Sequence, residues 1–210
     1  MNHILKFLVL LLFFFNLHCK QNMATKQSTD ASDFYNLPTF SEDKFIQAVI
    51  EIPAGTNHKF EFNKNTKQFI NDKNKDGSVR VINFLGYPGN YGFIPSTLMD
   101  EERGGDGDPL DVVVLSESVP TGTVLEVVPI ATLLLRDEGE TDTKIIAIPA
   151  DKSKRTIQAT NLHDFLIQYN SAMRIVQDWF VNYEAHGIVQ FLGWEDEKYA
   201  LQEIEKWKIH

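Results

Sequence analysis

The hydrophobic period of this chain changes partway along, and the change limits the folds open to it. Between residues 47 and 149 the apolar residues fall in short runs at 48–52, 58–62, 79–84, 111–115, 124–135 and 143–148, separated by glycine and proline turns. After Thr160 the residues Leu162, Phe165, Leu166, Tyr169, Met173, Val176, Phe180 and Tyr183 recur at spacings of three and four, which predicts one long helix with Asn161 as its N-cap. A short strand at 188–192 and a closing helix at 195–207, with Leu201, Ile204 and Trp207 facing inward, complete the pattern. Strands come first and helices last, without the alternation that builds a doubly wound sheet. The expected fold is therefore a single α+β, mainly β domain, a closed or partly closed barrel with helices against it.

The start of the chain reads differently. Lys6 precedes an unbroken apolar run at 7–15, and Cys19, the only cysteine, follows. That run is too short to span a bilayer, which takes about 20 residues, so 1–19 reads as a signal peptide. Cys19 stands where a lipobox places the thiol that becomes lipidated; His18 makes the match imperfect, and an ordinary secretory signal is the alternative. Residues 20–35 are polar and aperiodic, a tether leading to a folded domain at 36–210. The expectation is an exported, periplasmic protein whose one link to a membrane is a lipid anchor at Cys19. A single cysteine allows no internal disulfide, and the net charge of -9 disfavours non-specific binding to nucleic acid or anionic lipid.

Acidic side chains are concentrated in the β-rich part. In Asp106-Gly-Asp108-Pro-Leu-Asp111, preceded by two glycines, three carboxylates sit where a glycine-rich loop enters a strand. Glycine lets backbone approach an ion and proline stiffens the loop, so these oxygens suit hard cations, magnesium or manganese rather than zinc. A solvated acidic turn is the competing reading of that hexapeptide taken alone. A second acidic run, 136–144, contains Asp137, Asp142 and Lys144 and reads as a hairpin tip. Lys59 and Glu61 stand two apart on one strand face, after Glu51-Ile-Pro. Arg80 and a glycine-rich turn holding Tyr87 and Tyr91 would offer a guanidinium and two phenols to phosphate. The segment 72–77 resembles half of a calcium loop, but Asn83 stands where the closing glutamate belongs, so it reads as a polar turn.

Taken in order, Ile50-Glu51-Ile-Pro53, Lys59-Phe-Glu61, Arg80, Asn90-Tyr91-Gly92, the aspartate hexapeptide and the run 137–144 resemble the soluble family I inorganic pyrophosphatases, over 48–194. The resemblance implies an OB-like five-stranded barrel that hydrolyses pyrophosphate with several Mg2+ ions per site, Mn2+ being possible, and a homo-oligomer, a hexamer in bacteria. It further implies that Asp106, Asp111 and Asp142 hold the metals that bind the attacking water, that Asp137 binds a metal carried by the substrate, and that Glu61 belongs to the metal set. Asp108 would be the general base. Lys59, Arg80, Tyr91, Lys144 and Tyr183 would contact phosphate, with Tyr87 beside them and Glu51 in support. One departure stands out: the family has a lysine directly after the helix tyrosine, and here Glu184 follows Tyr183. Arg174 or His186 would have to replace the lost cation. With an exported address, that change leaves open a weakened metal- or phosphate-binding lipoprotein, or a hydrolase of organic phosphates.

Overall fold

The computed structural model describes residues 33–137, 139–184 and 189–209; the signal segment with Cys19, most of the tether, Glu138, His186 and Ile188 lie outside the described residues. In chain order the strands are β1 (Ile46–Ile52), β2 (Phe60–Asn63), β3 (Gln68–Asn71), β4 (Asn90–Phe93), β5 (Asp111–Val114), β6 (Val124–Asp137), β7 (Glu140–Pro149) and β8 (Gln190–Asp196). The helices are α1 (Leu162–Gln168), α2 (Asn170–Asn182) and α3 (Glu197–Trp207). Strands β1, β4, β5, β7 and β6 pair in that order, and the first half of β6 returns to β1, closing a ring of five strands. The ring leaves no edge within itself. β8 continues along the far half of β6, and β2 and β3 form a separate hairpin.

Both faces of the ring are covered, which explains why its strands read as continuous apolar runs. Val113, Leu133, Ile146 and Ile148 join Phe165, Val176 and Phe180 of α1 and α2 in one core. Their alternate neighbours Val112, Val114, Ile145 and Ala147 pack with Ile204 and Trp207 of α3 in another. Asn161 caps α1 as expected, its side-chain oxygen accepting from Asp164 N–H at 2.8 Å.

Several details differ from expectation. The run 79–84 is no strand: Val79 and Val81 make only isolated bridges, to Lys73 and His58, and both are exposed. The short strands β3 and β4 were not anticipated. In β4, Gly92 is required because a Cβ there would lie 1.9 Å from Val49 O on β1, so glycine marks close strand approach rather than a turn. The long helix is two helices, broken at Tyr169, whose φ is -129° and whose hydroxyl accepts from Gln158 N–H. Leu166 and Leu201, assigned to apolar faces, are exposed. Phe34–Asn36 forms a 3-10 turn, so ordered structure begins inside the stretch read as tether.

Candidate active site

Strand pairing sets the floor of the site. β5 runs parallel to β7 with Asp111 opposite Lys144, and Asp142 lies two residues before Lys144, on the same face of β7. The Lys144 ammonium reaches Asp111 Oδ2 at 2.5 Å, bonds Asp142 as well, and lies 3.4 Å from the Tyr91 hydroxyl. Burial works against its charge, but Asp111 and Asp142 outweigh burial and hold the Lys144 pKa well above 10.5. Burial pushes the Asp111 carboxyl upward, Asp142 adds to that, and Lys144 opposes it.

The aspartate loop is pinned beside this floor. Gly107 takes φ +82°, allowing Asp106 Oδ1 to accept from Asp108 N–H at 3.0 Å. Gly107 N–H donates to Met99 O at 2.7 Å, and Met99 N–H donates to Asp108 O at 2.8 Å. Burial, reinforced by Asp111 and Asp108, pushes Asp106 up to about 6. Glu51, 7% exposed, accepts from Phe62 N–H at 2.7 Å and so joins β1 to the β2–β3 hairpin. Burial dominates its environment and raises its carboxyl to about 8.

The rim is a chain of ion pairs. Lys59 Nζ lies 2.8 Å from Glu61 and 3.6 Å from Asp72; Arg80 lies 3.2 Å from Asp72 and also bonds Glu184. An aromatic column backs them: Tyr87 lies 5.3 Å from Tyr91 and 4.4 Å from Trp179, and Trp179 stacks on Tyr183 at 4.9 Å. Burial, aided by Glu184 and Asp142, raises Tyr183 to about 12, so its hydroxyl keeps its proton and remains a donor.

All the predicted site residues except Arg80 line one cavity of about 530 Å³. Arg80 stands beside it, held by Asp72 and Glu184. Arg174, one candidate for the lost cation, is exposed on α2 and does not line the cavity. Sequence reasoning missed Tyr35, Lys64, Asp72 and Trp179. Trp179 follows Val176 by three and was readable from the stripe's own spacing. Tyr35 lay in apparent tether, Lys64 in a turn and Asp72 in the half calcium loop, where nothing signalled a site.

The donor set fits hard divalent cations. Asp106, Asp108, Asp111, Asp137, Asp142 and Glu61 share the cavity, and the repulsion that Asp111 and Asp108 add to the burial of Asp106 is charge that a cation would relieve. Among the described residues no three acidic side chains already converge on one point. Magnesium, which keeps several waters and takes few protein oxygens, suits carboxylates spaced around a cavity better than a closed cage would.

A five-stranded ring with carboxylates and cations gathered in one cavity is the frame of a barrel enzyme for phosphate chemistry. The family model for inorganic pyrophosphatase matches residues 48–210. The chain is 32% identical over 177 residues to the inorganic pyrophosphatase of Synechocystis sp., covering 83% of this chain and 96% of that one. It is 36% identical over 165 residues to that of Aquifex pyrophilus, covering 77% and 86%. The crystal structure of the inorganic pyrophosphatase from Thermus thermophilus matches with TM-score 0.70 at 31% identity, over 83% of this chain and 95% of that one. The chain belongs to the family I inorganic pyrophosphatases.

Proposed function

We propose that this chain hydrolyses inorganic diphosphate to two orthophosphates, the activity of its family, with Asp108 as general base and Mg2+ held by the surrounding carboxylates. The observation that carries the assignment is the single cavity in which those carboxylates meet Lys59 and Lys144. Asp106, Asp111 and Asp142 would hold metal on the side of the attacking water, Asp137 metal on the substrate side, and Glu61 completes the set; Mn2+ shares the preference for oxygen. Bound divalent ions supply charge neutralisation and make water more acidic.

The chain's own groups do the rest. Asp108, exposed on its pinned loop, accepts the proton of the attacking water. The water oxygen bonds phosphorus as the bridging P–O bond breaks, and the leaving orthophosphate carries away the bridging oxygen. Lys144 at the floor, with Tyr91 and Tyr183 as phenol donors, fixes phosphoryl oxygens whose charge grows in the transition state. Tyr87 holds the aromatic column, and Glu51 holds the hairpin that carries Lys59. Lys59 and Arg80 exchange carboxylate partners for phosphate.

The chain is further proposed to be exported to the periplasm, anchored through a lipid on Cys19 and assembled as a homo-oligomer, a hexamer. The charged, apolar and cysteine order of residues 1–19 supports the anchor. Membrane fractionation of wild type against Cys19→Ala tests it: the variant should leave the membrane fraction, and retention there would count against the lipid.

Phosphate release from diphosphate, with and without Mg2+, tests the activity. Wild type should release phosphate only with metal, and Asp108→Ala should abolish release while circular dichroism stays unchanged. Release from organic phosphates but not diphosphate would favour the other hydrolase. No release at all would favour a catalytically weakened binding lipoprotein, the weakening being suggested by the Arg80–Glu184 pair, which takes up a phosphate-binding cation.

A further inference from the structure

The wall of the cavity includes one residue that precedes the stretch matched by the family model. Tyr35, in the 3-10 turn Phe34–Asn36, lines the cavity. Its ring stacks on Phe93 at 4.7 Å and leans on Phe62 at 5.3 Å. Its hydroxyl donates to Phe62 O at 3.4 Å, and its carbonyl accepts from Ser96 N–H at 2.8 Å. The ring is therefore clamped between β4 and β2, two residues from Tyr91 and one from Glu61.

Over that ring stands Lys64, its ammonium 4.5 Å from the centroid, on a β2–β3 turn stiffened by Asn63 Oδ1, which accepts from Asn65 and Thr66 N–H at 3.0 and 2.9 Å. Lys64 also lines the cavity. The assigned cations are all engaged: Lys59 by Glu61 and Asp72, Arg80 by Asp72 and Glu184, Lys144 by Asp111 and Asp142. Among the described residues no carboxylate forms an ion pair with Lys64; its one recorded partner is the Tyr35 ring. Lys64 is thus the cation of the wall that can meet a phosphate oxygen without first breaking an ion pair. Lys144 is buried at the floor, whereas Lys64 is exposed on its turn at the solvent side of the cavity.

Resting on the diphosphatase reading, we propose that Lys64 is a further substrate-binding residue, contacting the phosphoryl group at the solvent side of the cavity, and that Tyr35 is the positioning residue that presents it. The aromatic platform limits the lysine's rotamers, lowering the entropy lost when it closes on substrate.

Steady-state hydrolysis of diphosphate at saturating Mg2+ tests this. Lys64→Gln should raise KM about tenfold, as expected for losing a bond to a charged group, with kcat within about twofold; Lys64→Arg should restore most of the affinity. Tyr35→Leu should raise KM similarly, and Tyr35→Phe, which keeps the ring, should not. Lys67→Gln is the control, because Lys67 on the same turn pairs with Asp33 instead, 3.2 Å away, and does not line the cavity. A Lys64→Gln enzyme with wild-type KM would overturn the proposal, and Tyr35→Phe failing as badly as Tyr35→Leu would overturn the platform. A wild-type protein that releases no phosphate would instead overturn the diphosphatase reading.

Discussion

The floor and the rim of the cavity carry the same kinds of charge but are held by different means. Asp111, Asp142 and Lys144 stand on paired strands of the closed ring, so backbone register sets their spacing before any ligand arrives. Lys59, Glu61, Asp72, Arg80 and Glu184 stand on a hairpin, a loop and a helix end, with side chains 23% to 49% exposed. Each rim pair is screened and contributes on the order of 1 kcal/mol or less, so partners can be exchanged at little cost. Chemistry that needs fixed geometry belongs on the floor, and adjustable binding belongs on the rim.

The largest test of that contrast is to remove one charge from each region. Asp111→Asn should lower kcat about a thousandfold, because it removes a carboxylate proposed to hold metal and alters the register-fixed partner of Lys144. Glu61→Gln, at the rim, should lower kcat about tenfold and act partly through the metal concentration required. Equal losses in a magnesium titration of kcat would break the distinction.

Glu51 lies on the seam between the regions, since it comes from β1 of the ring and accepts from the hairpin. Its carboxyl sits near 8 in the folded protein against 4.5 unfolded, so the folded state holds the extra proton between those values. Stability of the metal-free protein is then greatest below about 4.5 as far as this group is concerned, and falls as pH rises through 8. The loss is on the order of a few kcal/mol. Thermal melts in chelator across that range should show a slope that Glu51→Gln removes; a slope that survives in the variant would move its origin to other carboxylates.

The same contrast explains what could be read from the sequence. The floor was legible in part: the aspartate hexapeptide leads directly into β5, whereas Asp142, read as part of a hairpin tip, stands within β7 two residues before Lys144. Apolar runs marked four of the ring's strands, β1, β5, β6 and β7, but not β4, and the count of five came from the family resemblance. The rim was not legible as an assembly, since Arg80 meets Glu184 across 104 positions and Asp72 looked like part of a turn. β3 and β4 are four residues each, too short to show a period. The run 79–84 had the right residues for a strand, but only isolated bridges reach it. Propensity proposes a strand, and a partner has to complete it.

The smallest effect concerns Glu184, which stands where the resemblance leads one to expect a lysine. Arg80 presents one terminal nitrogen to Asp72 and the other to Glu184, so an incoming phosphate competes with two carboxylates for the guanidinium. Glu184→Lys removes one competitor and adds a cation near Tyr183, but it also sets two positive charges side by side in the empty site, which offsets part of the gain. The expected result is a KM for diphosphate about three- to tenfold lower, with kcat nearly unchanged. Glu184→Gln, which removes the competitor without adding charge, should fall between the two. If both variants bind no better than wild type, Glu184 is holding Arg80 in place rather than occupying it, and the rim is more ordered than its exposure implies.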